Sequence, residues 1–375
     1  MSSTAATPKL FQPVKVGNLT LAHRVVLAPL TRFRNTESTY VPLGNVKEYY
    51  EQRASTPGTL LISEGVVICP EAGGCPYTPG IWSDEQIKAW KEITDRVHAK
   101  GSFIYIQLWA LGRAGSAATL KTVDPSFDLV APSAIPITGR DTPRALTVPE
   151  IKQYVEWYAR AARIAIEEAG FDGAEVHCAN GYLLDQFLQD TANKRTDEYG
   201  GSVENRARFP LEVISAVVDA VGADKVGVRL SPWNDFQDMR MKDPIPQFTY
   251  FTTQLKTQHP NLAYLHVVEP RISGIDNRAD DEIGAEEQND FLREIWAPSV
   301  VISAGGYTKE TALKAAEEKG DLIAMGRWFI SNASPDLPVR WQKEIALSPY
   351  DRDSFYLHGN STSLGYTDYT FAVKA

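Results

Sequence analysis

The chain has 375 residues, 43% of them hydrophobic and 23% charged, a globular composition without biased tracts, solenoid repeats or a compositional boundary. Its formal net charge of −9 argues against nucleic acid, whose phosphates need clustered Lys and Arg. Cys69, Cys75 and Cys178 lack metal-ligand spacing, which points to free thiols in a reducing compartment rather than to disulfides or a metal centre.

From the N-terminus, residues 1–9 are rich in Ser, Thr and Ala but lack the apolar stretch of a signal peptide. No later run approaches a membrane span, so the default location is cytoplasmic and no membrane partner is expected. Residues 14–21 read as a hairpin with Gly17-Asn18 at its tip, a cap over the N-terminal end of the sheet. Short β-rich runs then recur at residues 24–30, 60–68, 103–109, 173–178, 226–230, 264–268, 300–304 and 322–325. Helical periods separate them, among others at 84–99, 149–169, 206–221 and 309–319. Ser83 and Thr147 supply helix-start signals, and Gly101, Gly170 and Gly222 stand where helices should stop. Eight strand–helix units imply a parallel sheet buried on both faces, and a closed (β/α)8 TIM barrel fits them better than an open sheet. The reading is therefore an α/β chain with residues 1–375 as one domain, a hairpin cap, and a long Pro- and Ser-rich loop (111–146) after strand 3 that overhangs the pocket.

The apolar runs end in polar or glycine residues: Thr31, Gly65, Gln107, His177, Arg229, Gly305-Gly306 and Gly326-Arg327. In a barrel these converge on the C-terminal rim, where active sites of this fold lie. Strand alternation sends Glu175 and His177 inward and Ala174, Val176 and Cys178 toward the helices. The turn through Asn180-Gly181 brings Asn180 back beside His177, two donors suited to a carbonyl oxygen gaining negative charge, and Tyr182 can supply a proton. Arg229, projecting from an apolar strand, needs an anionic partner, either a structural carboxylate or a bound cofactor. Gln107 suits a heterocycle's amide edge or serves as a buried structural amide. Glycines after strands seven and eight, with Arg327, form a recurring phosphate site of the fold.

Taken together, Ala28-Pro29-Leu30-Thr31-Arg32, Gln107-Leu108-Trp109, His177-x-x-Asn180-Gly181-Tyr182, Gly200-Gly201-Ser202-Val203-Glu204-Asn205-Arg206, Arg229-Leu230-Ser231-Pro232, Gly326-Arg327-Trp328-Phe329 and Tyr350-Asp351-Arg352-Asp353-Ser354-Phe355-Tyr356 resemble the Old Yellow Enzyme family, in family order along almost the whole chain. The resemblance implies noncovalent FMN across the rim, with NADPH as hydride donor and NADH possible in its place. It implies that Pro29, Thr31, Gly65 and Gln107 meet the flavin ring, Arg229 its N1 side, and Gly305, Gly306, Gly326 and Arg327 the phosphate, with Phe355 also against the cofactor. It assigns His177 and Asn180 to a substrate carbonyl, Tyr182 to protonation of the α-carbon, and Trp109 and Tyr356 to the substrate pocket. The expected reaction is reduction of the alkene of a small α,β-unsaturated carbonyl compound. Residues 332–335 look slightly lengthened against the family pattern.

Two other classes compete. A (β/α)8 isomerase or lyase acting on a phosphorylated metabolite would share the phosphate site, yet no strand run ends in the lysine a Schiff base needs. A noncatalytic flavin-binding barrel has no use for the His177-Asn180-Tyr182 set. Nothing in the sequence chooses between a monomer and a homodimer.

Overall fold

A computed structural model describes residues 6–332 and 336–371; residues 1–5 of the N-terminal stretch and 333–335 of the lengthened one lie outside them. Eight parallel strands close into a barrel in chain order: β1 (Val25–Leu27), β2 (Leu60–Val67), β3 (Phe103–Trp109), β4 (Gly173–Cys178), β5 (Val226–Leu230), β6 (Tyr264–Val268), β7 (Val301–Ala304) and β8 (Leu322–Met325). β8 pairs back onto β1, with Ala324 opposite Val26. Each strand is followed by a helix: α1 (Val46–Arg53), α2 (Asp84–Ala99), α3 (Val148–Glu167), α4 (Val203–Val221), α5 (Ile245–Gln258), α6 (Asp290–Trp296), α7 (Lys309–Lys319) and α8 (Asp336–Gln342). The expected starts of α2 and α3 are full capping boxes, Ser83 with Gln86 and Thr147 with Glu150. β1 is shorter than the apolar run 24–30 because Pro29 has no N–H for the ladder; past Leu27 only the Ala28 N–H continues it, bound to Met325 O at 3.0 Å.

Alternation along the strands sorts the core into two bodies. Val25 and Leu27 join the layer beneath the helices, whereas Val26 and Ala28 join Leu60, Ile62, Tyr105, Tyr264, Ile302 and Leu322 inside the barrel. The hairpin Val14–Val16/Leu19–Leu21 plugs the N-terminal end and buries Val16, Leu19 and Leu21 against that inner cluster. Its tip presses on the start of β5: Gly17 has φ +55°, and a Cβ there would sit 1.9 Å from Asp224 O. The 111–146 loop is ordered, with a helix at Ala117–Val123 and a strand pair joining Val130–Ala131 to Arg144–Ala145.

The segment from 350 to 371 folds back over β1 and α1 as a strap held by buried arginines. Arg32 donates from Nε to Phe355 O at 3.0 Å and from Nη2 to Gly365 O at 2.7 Å. Arg34 donates to the carbonyls of Leu357 and Leu364, and Arg53 to Ile330 O at 2.7 Å and Tyr366 O at 3.2 Å. Their charge is further answered by aromatic faces, with Arg53 3.5 Å from the Tyr49 ring centre and Arg32 4.9 Å from that of Tyr366. Glu64 is buried beside this cluster; its Oε2 accepts from Asn35 Nδ2 at 3.3 Å, and Oε1 has no partner among the described residues. Burial raises its carboxyl to about 7, against the lowering pull of Asn35, Arg32 and Arg34. A carboxyl whose folded pKa lies above its unfolded value, here 4.5, favours the fold fully at low pH and loses that contribution as pH rises toward 7. Glu64→Gln should therefore raise unfolding free energy at pH 8 by on the order of 2–3 kcal/mol and change it little at pH 4. Urea denaturation at both pH values checks this; an equal gain at both would remove ionisation of Glu64 as the cause.

Candidate active site

A cavity of about 630 Å³ opens at the C-terminal rim. Pro29, Thr31, Trp109, Asn180, Tyr182, Arg229, Gly305, Gly306, Gly326, Arg327, Phe355 and Tyr356 all line it. Gly65, Gln107 and His177 stand one layer behind. A Cβ on Gly65 would lie 2.9 Å from the Trp109 indole, so this glycine seats the ring that walls the cavity. A bulge in β2 between Ile62 and Gly65 puts Gly65 in register with Gln107, and the bulge is pinned by Tyr50 Oη, which accepts the Glu64 N–H at 2.9 Å. Leu111, Ala114 and Arg140 bring the 111–146 loop to the cavity, which places that loop over the pocket.

Beneath the cavity lies a buried polar layer. Glu175 has no exposed surface; Oε1 accepts from Gln107 Nε2 at 2.8 Å and Oε2 from His266 Nδ1 at 2.8 Å. Burial would raise the Glu175 carboxyl, but His266, Arg229 and Gln107 outweigh it and hold the carboxylate form. Burial lowers His266 below the ordinary histidine range despite Glu175, so its one proton sits on Nδ1. Gln107 is thus partly a structural amide, with one N–H spent on Glu175. Arg229 is in register with both His177 and His266 and senses Glu175 electrostatically, yet its Nε has no hydrogen-bond partner among the described residues. A guanidinium at the cavity wall with an unused buried N–H is a group prepared for an acceptor on a ligand.

The donors follow from β4. His177 is 4% exposed, and burial together with Arg229 and His266 keeps its ring neutral at physiological pH; Nδ1 has no partner among the described residues. Asn180 is left-handed, φ +57°, in a turn held by its own N–H to Ser231 Oγ at 2.7 Å, by Gln237 Nε2 to its carbonyl at 2.6 Å, and by the Gly181 N–H to Asp185 at 2.8 Å. Asn234 Nδ2 donates to Asn180 Oδ1 at 3.0 Å, which fixes the amide of this cavity residue and leaves its own Nδ2 without an acceptor among the described residues. Tyr182 packs edge-on against Trp109 (4.9 Å between ring centres) and His177 (5.1 Å), and burial pushes its hydroxyl up, so it carries its proton at neutral pH. Cys75 also lines the cavity, but burial raises its thiol to about 11 and Cys178 faces the helix layer, so neither offers a thiolate.

Ser231 belongs to a motif legible in the sequence, whereas Asn234 and Gln237 carry no sequence signal; they act through side-chain bonds across a turn, which no periodicity encodes. Of the strand-end acids, Glu269 pairs with Arg293 at 2.6 Å, while Glu64 takes an amide rather than a cation.

At the other end of the cavity, Gly305 (φ +135°) and Gly306 (φ +61°) form a turn open to only a few residue types, and Arg327 stands beside it, Nη2 on Asn277 Oδ1 at 2.5 Å. The cavity wall carries Arg140, Arg229, Arg327 and Arg352 and no Asp or Glu, in a chain of net charge −9. A phosphorylated flavin fits that donor set: a glycine turn and Arg327 for the phosphate, and Arg229 with its unused N–H for an electron-rich ring.

The comparisons agree. The chain belongs to the NADH:flavin oxidoreductase / NADH oxidase family, whose pattern it matches over residues 9–348, and within it to the Old Yellow Enzymes. Its fold superposes on the crystal structure of Old Yellow Enzyme from Pichia sp. with a TM-score of 0.87 at 40% identity, covering 99% of this chain and 95% of that one. It is 51% identical over 372 residues to a chanoclavine-I aldehyde reductase of Penicillium roqueforti (98% of this chain, 97% of that protein) and 44% identical over 379 residues to a probable inactive dehydrogenase of Claviceps purpurea (98% and 97%). The protein is thus a flavin oxidoreductase that uses FMN and a nicotinamide cofactor. No helix among the described residues is long and apolar enough to cross a membrane.

Asn234→Asp should turn the Asn180 amide over, since a carboxylate there accepts from Nδ2 instead of donating to Oδ1. Acceptor turnover should fall by on the order of a hundredfold, the cost of losing one oxyanion donor, with the flavin absorbance retained. Unchanged turnover would show that Asn180 contributes no donor.

Proposed function

We propose that this enzyme is an NADPH-dependent ene-reductase that saturates the alkene of α,β-unsaturated aldehydes and ketones. FMN, when bound, supplies the hydride chemistry, taking hydride from the nicotinamide and giving it to the β-carbon of the acceptor. Pro29, Thr31, Gly65, Gln107 and Phe355 would hold the flavin ring, Arg229 its electron-rich side, and Gly305, Gly306, Gly326 and Arg327 its phosphate. His177 and Asn180 bind the acceptor's carbonyl oxygen and draw electrons from the alkene toward it. Tyr182 gives its hydroxyl proton to the α-carbon. Trp109 and Tyr356 wall the space in which the acceptor lies.

The observation that carries the reading is an oriented Asn180 and a protonated Tyr182 in the wall at one end of a cavity, with a neutral His177 packed directly behind Tyr182, and an opposite end that suits a phosphate. The same set speaks against an inactive flavin-binding barrel, a point of weight because several relatives are described as probably inactive. An isomerase or lyase of phosphorylated metabolites is not favoured, since no lysine lines the cavity. Similarity to an aldehyde reductase supports enals among the acceptors.

Anaerobic addition of NADPH should bleach the flavin bands of the purified protein, and cyclohexenone or an enal should restore them. Bleaching without return would remove the enone from the reading. His177→Ala should slow that return on the order of a hundredfold or more, and Tyr182→Phe on the order of a hundredfold, with bleaching by NADPH retained in the Tyr182 variant. A Tyr182→Phe enzyme that reoxidises at the normal rate would sink the proton-donor role.

A further inference from the structure

Arg271 follows β6 and lies against the Gly305-Gly306 turn. Its Nε donates to Gly305 O, and its guanidinium stacks on Tyr307, 4.2 Å from the ring centre. Tyr307 is itself held by Ser303, Oη to Oγ at 2.8 Å. A Cβ on Gly306 would come within 3.5 Å of Arg271 Nε, so the cation and the turn are in direct contact. Nη2 is enclosed and has no acceptor among the described residues.

Three carboxylates of the surrounding loops are engaged by other arginines. Glu269 is bound to Arg293 at 2.6 Å, Asp276 to Arg352 at 3.0 Å, and Glu287 to Arg240 and Arg278, each at 2.5 Å. Arg271 is thus oriented on one edge by a carbonyl and beneath by an aromatic face, while on its Nη1–Nη2 edge the enclosed Nη2 has no acceptor among the described residues. That edge is the one that matches two oxygens of a phosphate monoester. An enclosed N–H without an acceptor is disfavoured unless a ligand supplies one.

We propose that Arg271 is a second guanidinium of the FMN phosphate site, opposite Arg327 across the Gly305-Gly306 turn. The proposal rests on the flavin reading above and adds to it a residue outside the glycine–Arg327 set. A phosphate monoester could also come from a nicotinamide dinucleotide phosphate; contact with the flavin's own phosphate turn favours FMN.

The test is flavin release from diluted holoenzyme, followed by flavin fluorescence, with FMN and with riboflavin in its place. Arg271→Gln should raise the FMN dissociation constant about tenfold or more, as expected for losing a charge-assisted contact, and leave that of riboflavin unchanged. Arg271→Lys should recover part of the loss, because it keeps the charge but not the fork. An equal weakening of FMN and riboflavin would overturn the proposal and assign Arg271 to holding the turn. Unchanged FMN release with weaker NADP⁺ binding, read from the perturbed flavin absorbance, would overturn it in favour of the dinucleotide. Unmodified protein that holds neither FMN nor riboflavin would overturn the flavin reading as well.

Discussion

Glu175 sits inside the barrel with no exposed surface, and a carboxylate there must be given partners or lose its charge. Gln107 and His266 each spend one N–H on it, and Arg229 adds a cation. Much of the cavity floor is set by that requirement. The proton of His266 is drawn to Nδ1, facing the carboxylate, and the orientation of the Gln107 amide is set. Arg229 is stabilised without being consumed, because its Nε has no hydrogen-bond partner among the described residues. Burial and the positive field of Arg229 then keep His177 neutral, so its ring carries an N–H without a full charge.

Closing eight parallel strands brings the ends of β1 to β8 onto one rim, but the ring supplies only part of the site. Other parts of the wall come from loops, among them Phe355 and Tyr356 of the strap near the end of the chain. Arg32 ties the two together: it follows Thr31, a cavity residue, and its Nε binds the carbonyl of Phe355, another. The strap is held mainly by carbonyls meeting guanidinium groups and aromatic faces; its ion pair, Arg352 with Asp276, is largely exposed. The strap's position therefore depends on the backbone of both segments and little on salt.

The barrel was legible because parallel strands buried on both faces read as continuous apolar runs, and because Ser83 and Thr147 mark helix starts by local bonding. His177, Asn180 and Tyr182 were legible for a similar reason: they lie on one strand and its turn, within a few residues of one another. What the sequence did not show is held by contacts between distant segments. Asn234 meets Asn180 across the β5 loop, and Arg32, Arg34 and Arg53 meet carbonyls about three hundred residues away. The 111–146 loop hid its helix and strand pair because two-residue strands have no period to detect. Pro29 shortened β1 for a reason visible in the sequence, the absence of an N–H, although the apolar run continued past it.

Burial sorts the titratable groups around this cavity in one direction, toward neutrality. It pushes the Tyr182 hydroxyl and the Cys75 thiol up and the His177 ring down, while Arg229, whose ordinary pKa is so high that lowering leaves it charged, remains a cation. The cavity therefore offers N–H and O–H donors and positive charge, but among the described residues no thiolate, free amine or carboxylate base in its wall. Such a wall stabilises negative charge that arises on something bound and can release a proton to it. It cannot start a reaction by nucleophilic attack. The electrons must come from a group the protein carries, which is the division of labour between a flavin and the barrel that holds it.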